Sequence, residues 1–248
     1  QSIIANIKNS KYGSLAGKRG GTKTINANVT VQNTLTLDET GGASLVVDLN
    51  GKTLTLNGSG SPISVSSGTF TATSGTTVYN LDGSQNVYGT TYQNLTMTAS
   101  ATTATKTASG AITVSGILTN GAGITLDFGS NTFTGTGATI TNASTGTLQS
   151  GGVVSLTGGT SIGGTFVFNR ATTTQAIPAV EFTNLTLSGG TGATGKKVFQ
   201  SGTTSASGTY SVADADRDYT TSTSTFRYNG TTQSILAESY HHLIAVGG

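Results

Sequence analysis

The sequence predicts an all-β protein, a parallel β-solenoid or β-helix with an N-terminal extension, and three observations support this prediction. Apolar residues alternate with threonine, serine or asparagine along most of the 248 residues. Glycine is abundant at 36 residues, proline occurs only twice, and helical periodicity is weak throughout. Two sequence elements also recur at related spacings, as expected for a chain that stacks repeated units.

The strand prediction rests on a period of two. Residues 29–31 and 54–56 read VTV and LTL, and such stretches place apolar side chains on one face and hydroxyls on the other. Threonine is β-branched and suits a half-exposed pleated surface. Turn signals, such as the NG pairs at residues 50–51 and 120–121, separate the strands.

Composition excludes several classes of protein. Cysteine is absent, so the chain has no disulfides, thiolate metal sites or cysteine nucleophiles. Charged residues are 9 %, against about 25 % in an ordinary soluble domain, and are too sparse for nucleic-acid binding. No apolar run approaches the ~18 residues of a membrane span. The first residue is Gln1, from which we expect a removed signal peptide and an extracellular or cell-surface location.

One element occurs three times. It combines an aromatic-Asn dipeptide, a Gln-x-aliphatic triplet and an aromatic-x-Asn-Leu box, and each glutamine precedes the box aromatic by seven residues. Agreement at five positions in three places is not expected by chance. The box residues are Gln85, Tyr92, Asn94 and Leu95 in the first copy, Gln175, Phe182, Asn184 and Leu185 in the second, and Gln233, Tyr240, His242 and Leu243 in the third.

A second element begins with a lysine. Lys23 and Lys106 are each followed eight residues later by a valine, and a degenerate third copy begins at Lys196. Tyr92 precedes Lys106 by 14 residues, and Phe182 precedes Lys196 by the same interval. The two elements therefore belong to one repeating unit.

The repeats divide the chain into two parts. Residues 1–16 form an N-terminal arm outside the repeat, and residues 17–248 form one repetitive β domain. Within that domain the repeat units cover about residues 22–100, 105–190 and 195–248.

The repeat pattern does not close at either end. Its spacing requires an aromatic box before Lys23 and a lysine 14 residues after Tyr240, and the chain contains neither. Unpaired strand ends are templates for other chains, and a heterologous contact that does not close gives a filament. We therefore expect a head-to-tail homopolymer in which the arm adds a donor strand to a neighbour. The expected interface residues are Ile3, Ile4, Ile7, Tyr12, Lys18, Arg19, Lys23, Tyr240, His242, Leu243 and Ile244.

The distribution of charge favours the same polarity. Basic residues, including Lys18 and Arg19, lie near the start of the chain with no acidic residue among them. Acidic residues, including Asp218 and Glu238, lie near the other end. Complementary ends favour head-to-tail over head-to-head encounter.

Two alternatives remain open. The alternative fold is a β-sandwich subunit of pilin type, completed by a donor strand, with hairpins at about 8–12-residue spacing. The alternative function is a monomeric adhesin or carbohydrate-binding module of a bacterial surface protein, with surface glycans or abiotic surfaces as partners.

The box and its upstream glutamine resemble repeats of large adhesin-like surface proteins of gliding, type IX-secreting bacteria, described as filamentous-haemagglutinin-like β-solenoids. The resemblance covers about residues 22–248 and departs at His242, where those repeats have asparagine. It implies an extracellular structural or adhesive protein and names no ligand.

Chemical sites are few in this sequence. Asp214, Asp216 and Asp218 have the spacing that opens a calcium loop, but the glycine and glutamate of an EF-hand are missing. Asp48 and Asp127 occupy equivalent repeat positions, which favours a turn role over a catalytic pair. We expect no enzyme activity and no cofactor. The repeated Asn and Gln side chains are expected to form hydrogen-bonded ladders between turns or to pair with corner backbone groups.

Overall fold

The computed structural model describes residues 10–18, 20–38, 45–100, 103–157, 160–190, 195–213, 216–219 and 223–246. These residues form strands connected by turns, and no helix occurs among them. No helix in this described part could therefore cross a membrane. The strands are β1 Ser10–Tyr12, β2 Leu15–Lys18, β3 Gly21–Thr24, β4 Val29–Val31, β5 Leu35–Asp38, β6 Leu45–Asp48, β7 Thr53–Leu56, β8 Ile63–Val65, β9 Thr69–Asn80, β10 Gln85–Val87, β11 Thr91–Thr98, β12 Ala104–Ala108, β13 Ile112–Asn120, β14 Ile124–Asp127, β15 Phe133–Gly135, β16 Thr139–Asn142, β17 Thr147–Ser150, β18 Val154–Leu156, β19 Ser161–Phe168, β20 Gln175–Ile177, β21 Glu181–Leu187, β22 Lys197–Phe199, β23 Gly202–Ala206, β24 Tyr210–Val212, β25 Arg217–Asp218, β26 Ser224–Tyr228 and β27 His242–Ala245.

These strands stack into a parallel β-solenoid of about nine turns, which confirms the predicted fold class. Most strands pair with one strand a turn earlier and one strand a turn later, as in the register Val29 with Leu54 and Leu95 with Leu118. Every described ladder is parallel, so the β-sandwich alternative, which needs antiparallel hairpins, is wrong. The two largest sheets contain 11 and 10 strands.

The period of two fixes which side chains enter the core. In β4 the side chains of Val29 and Val31 are buried, while Thr30 between them is half-exposed. The same alternation holds in most strands, so the inward residues of successive turns form one continuous apolar core. All eight phenylalanines are at most 1 % exposed.

The first described turn begins earlier than the predicted repeat. Strand β1 pairs with β4, and strand β2 pairs with β5. Residues 10–16, which the sequence prediction places in the N-terminal arm, are therefore part of the stacked body. The rest of that arm, residues 1–9, lies outside the described residues.

Candidate functional site

The three repeated glutamines form one kind of corner. Each donates from Nε2 to two carbonyl oxygens of the preceding turn, two residues apart, so the side chain joins consecutive turns where the ladder is interrupted. This confirms the expected pairing of glutamine with corner backbone groups. The contacts are Gln85 with Leu56 (3.0 Å) and Gly58 (2.7 Å), Gln175 with Ser150 (2.8 Å) and Gly152 (3.0 Å), and Gln233 with Ala206 (3.0 Å) and Gly208 (2.5 Å).

Two lysines are buried directly above the first two glutamines. Lys106 is in register with Gln85, and Lys197 is in register with Gln175; both lysines are 0 % exposed. Backbone carbonyls surround each ammonium group. Lys106 Nζ donates to Leu81 O (2.7 Å), Gly83 O (3.1 Å) and Gln85 Oε1 (2.7 Å), and Lys197 Nζ donates to Arg170 O (2.7 Å) and Gly195 O (2.8 Å).

Burial changes the acidity of both lysines. It lowers the pKa of Lys106 to about 8, against an opposing attraction from Asp82. It lowers the pKa of Lys197 to about 8 as well, with the charge of Arg170 acting in the same direction. Both groups are still mainly protonated at pH 7, and the surrounding carbonyls accept the protons of a charged amine.

The sequence alignment of the lysines was wrong in two places. The buried lysine of the second unit is Lys197, because Lys196 is half-exposed and pairs with Asp218 at 2.8 Å. Lys23 lies in β3, which joins the 11-stranded sheet through β6, whereas Lys106 lies in β12 of the 10-stranded sheet, so the two lysines do not occupy the same position in the turn. Constant spacing in a sequence does not reveal which strand of the turn a residue occupies, because turn lengths in this solenoid vary.

The aromatic residues of the first and third copies form matching hydroxyl pairs. Tyr79 and Tyr92 are joined through their hydroxyls at 3.2 Å, and the backbone N–H of Tyr88 donates to the Tyr79 hydroxyl at 2.8 Å. In the third copy Tyr228 and Tyr240 are joined at 2.9 Å. There the N–H of Leu236 donates to Tyr228 at 3.1 Å. Burial raises the pKa of Tyr79 to about 12.

The second copy replaces this hydroxyl network with apolar contacts. Phe168 and Phe182 occupy the tyrosine positions and meet edge to face, with ring centroids 5.9 Å apart. Pro178 stands three residues after the glutamine, where the other copies have Tyr88 and Leu236. Proline has no N–H to satisfy, so the loss of the hydroxyl and the loss of the donor compensate each other.

The box asparagines connect three consecutive turns. Asn94 Oδ1 accepts the backbone N–H of Ile117 in the following turn at 3.0 Å. Asn184 Oδ1 accepts that of Thr209 in the following turn at 2.8 Å, and its Nδ2 donates backwards to Gly164 O at 3.0 Å. His242 stands at this position in the third copy and is exposed.

Asparagine ladders also run through the body, as the sequence predicted. Asn120 Nδ2 donates to Asn142 Oδ1 at 2.9 Å, and both side chains are nearly inaccessible at 1 % and 5 % exposure. A second ladder joins Asn57 and Asn80 at 3.3 Å. These contacts pair polar groups that would otherwise be buried without partners.

The C-terminal turn exposes side chains that are buried elsewhere in the repeat. Ile235 is 49 % exposed and Leu243 is 42 % exposed. Their counterparts in the first two copies, Val87, Ile177, Leu95 and Leu185, are all 0 % exposed. Strand β27 pairs with β26 on one edge, and no described strand pairs with its other edge.

The first turn shows a similar gradient. Tyr12 and Leu15 are half-exposed, whereas Val31 and Leu35, their register partners one turn inward, are buried. Lys23 is half-exposed, and its Nζ donates to Gly20 O at 3.1 Å. Both ends of the described body therefore present incompletely buried turns.

The remaining predicted interface residues are placed unevenly. Tyr240 is half-buried, and His242, Leu243 and Ile244 are exposed on the last turn. Ile3, Ile4, Ile7 and Arg19 lie outside the described residues, as does the side chain of Lys18.

Two of the acidic residues near the C-terminal end form salt bridges within the chain. Asp218 binds Lys196, and Glu238 binds Arg217. Asp214, the first member of the predicted calcium triplet, lies outside the described residues. Because these pairs neutralise charge locally, they weaken the argument for electrostatic attraction between opposite ends of the chain.

Asp48 and Asp127 have the same local role, as their repeat positions predicted. Asp48 Oδ1 accepts the N–H of Asn50 at 3.0 Å, and Asp127 Oδ1 accepts the N–H of Gly129 at 2.8 Å. Each carboxylate therefore closes a turn two residues onward. Asn50 itself has a positive φ of 49°, the left-handed conformation that asparagine tolerates in such turns.

Sequence reasoning found the repeated glutamines but missed what surrounds them. It did not predict the buried ammonium groups of Lys106 and Lys197. It also did not predict that Pro178 lacks the backbone N–H that would donate to a tyrosine hydroxyl at the position of Phe168. The available signal was the substitution of both tyrosines by phenylalanine in the one copy that contains a proline after its glutamine.

Comparison with known proteins gives no family for this chain. No family model matches it, and no curated protein or solved structure is significantly similar to it. The fold and the corner geometry define it as a parallel β-solenoid with internal repeats.

Proposed function

We propose that this chain is a self-assembling subunit of an extracellular filament or surface fibre, in which copies join head to tail. The observation that carries the proposal is the exposure of Ile235 and Leu243 at positions that are fully buried in the other two copies. A second copy that stacks its first turn on this surface would bury them.

The chemistry of the last turn suits a β-strand from another copy. The open edge of β27 offers backbone groups for about 0.5–1.5 kcal/mol per hydrogen bond formed. Burial of each large aliphatic side chain adds about 1.5–3 kcal/mol. A parallel strand is required to continue the solenoid, and the strands of the first turn, β1 to β3, already pair in parallel with β4, β5 and β6.

Opposite ends are more suitable partners than like ends. If two copies met through their C-terminal turns, the strands of one copy would run antiparallel to those of the other. Such strands could not extend the parallel ladders. A head-to-tail contact preserves strand direction and repeats without closing, which produces a fibre.

The test is the assembly state of the purified 248-residue chain at neutral pH, measured by light scattering and negative-stain electron microscopy. We expect fibres in the wild type. Leu243→Glu places a charge on the inward side of the last turn and should leave the chain monomeric.

A matched control keeps the change in charge constant. Val153 is 50 % exposed but lies in the middle of the body, so Val153→Glu should assemble as the wild type does. A wild-type chain that remains monomeric at high concentration overturns the proposal and favours the monomeric adhesin. Fibres that persist in Leu243→Glu show that another surface joins the copies.

A further inference from the structure

One face of the solenoid carries an in-register array rich in threonine, interrupted on three consecutive turns by Val78, Asn94 and Ile117. Two adjacent columns of outward-facing residues run along the 11-stranded sheet, and eight of their eleven members are threonine. The first column is Thr30, Thr55, Val78, Thr96, Thr119 and Thr141, and the second is Thr53, Thr76, Asn94, Ile117 and Thr139.

The array is ordered because its strands are parallel and in register. Neighbours along a column are about 4.8 Å apart, and the two columns are about 6.6 Å apart along each strand. The register shift in β11 falls between Tyr92 and Asn94, before the array begins on that strand. Stacked turns also hold a sheet flatter than an open twisted one.

The array differs from the comparable face of the 10-stranded sheet in charge rather than in threonine content. None of its eleven members is charged, and Ile117 is 46 % exposed within it. The 10-stranded sheet offers a useful comparison. There the column of Thr105, Thr125, Thr147 and Thr165 runs beside a column that contains Asp127 and Gln149.

Glycans do not match this face well. Proteins that hold sugar rings commonly stack them on exposed aromatic side chains, as rings with an apolar face and a polar edge require. Here every phenylalanine is at most 1 % exposed, and each of the eight tyrosines is buried or half-buried. A partner for this face must instead bind uncharged methyl and hydroxyl groups that repeat in register along the sheet.

We propose that this threonine face binds crystalline water, that is, the surface of ice. Ice presents water oxygens in a flat repeating lattice whose repeats are similar in scale to one strand spacing and two residues of strand. Threonine hydroxyls take hydrogen-bonding positions in such a lattice, while the methyl groups order the water between them. Charged side chains would hold hydration shells that do not fit the lattice, and the array has none.

This inference does not rest on head-to-tail assembly. A single copy already carries the complete array between Thr30 and Thr141, so a monomeric chain should bind ice. A wild-type chain that stays monomeric therefore overturns only the filament proposal, and a wild-type chain that is excluded from ice overturns only the ice-binding proposal.

The test is partition of fluorescently labelled protein into a slowly growing ice hemisphere, together with the shape of single ice crystals. We expect the wild type to enter the ice and to facet the crystals. The variant Thr96→Tyr with Thr119→Tyr should be excluded to the level of an inert labelled protein, because two bulky rings lift the face from the lattice.

A matched variant controls for the change in residue type. Thr125→Tyr with Thr147→Tyr alters two outward threonines of the other large sheet and should enter ice as the wild type does. Circular dichroism of each variant confirms that the strands are retained, and the milder Thr96→Val with Thr119→Val replaces the pair if they are not. The inference is overturned if the wild type is excluded from ice, if both tyrosine pairs behave alike, or if the chain binds crystalline cellulose and not ice.

Discussion

The Nζ atom of Lys106 donates a hydrogen bond of 2.7 Å to Oε1 of Gln85, the residue directly beneath it in the preceding turn. The amide of Gln85 therefore links three turns, since its Nε2 donates backwards and its Oε1 accepts from the turn that follows. The charged amine of Lys106 supplies hydrogen-bond donors to corner carbonyls that would otherwise lack them. Gln175 and Lys197 repeat this register but not the hydrogen bond, since Gln175 Oε1 accepts the backbone N–H of Arg170 at 3.1 Å.

Lys106→Met should destabilise the chain strongly. Methionine fills the volume but cannot donate to the partly buried carbonyls of Leu81 and Gly83 or to the buried Oε1 of Gln85. Unpaired buried acceptors of this kind cost about 2–4 kcal/mol together. The measurement is the urea concentration at half-unfolding. Lys11→Met, at an exposed lysine, should leave it unchanged, and a similar shift in both variants would contradict the role of the corner.

Stability should rise and then fall with alkaline pH. The pKa of Lys106 and Lys197 is about 8 in the folded chain and 10.5 when unperturbed, so between these values the unfolded chain binds more protons. The free energy of unfolding therefore increases with pH in that window. Tyr79 and Tyr219 have folded pKa values of about 12 against 10.0, so above pH 10 the unfolded chain loses protons first and stability falls.

Thermal unfolding between pH 7 and pH 12 measures this profile. The double variant Lys106→Met with Lys197→Met should lose the rise above pH 8 and keep the fall above pH 10. A rise that survives in the double variant would assign it to other groups.

The Phe168 and Pro178 positions should be coupled energetically. Phe168→Tyr buries a hydroxyl where Pro178 provides no N–H, at a cost of about 1–3 kcal/mol. Pro178→Leu restores the donor found at Leu236 in the third copy, so the double variant should recover part of that loss. A double-mutant cycle measures the coupling. A coupling energy near zero would mean that the two substitutions between repeats are independent.

The sequence was sufficient to predict the class of fold and the repeated corners. Alternation at Thr30 and Thr55 predicted outward threonines, and constant spacing around Gln85 and Gln175 predicted equivalent corners, because both depend on local geometry. Register across turns was not predictable. Turn lengths vary, so the sequence could not show that Lys197, rather than Lys196, lies above Gln175.

Close approach between turns should make Gly116 intolerant of any side chain. A Cβ atom at this position would lie 2.5 Å from the carbonyl oxygen of Gln93 and 2.6 Å from Asn94 Oδ1. Gly116→Ala must therefore push apart two paired turns and break the contact between Asn94 and Ile117, at a cost of about 1–3 kcal/mol. Gly13→Ala is the matched control, since its new Cβ atom meets nothing nearer than Asn33 Nδ2 at 3.9 Å. Urea unfolding of the two variants should show a lower midpoint only for Gly116→Ala. Equal midpoints would mean that the turns can separate at this point without loss of stability, and that Asn94 does not hold them together.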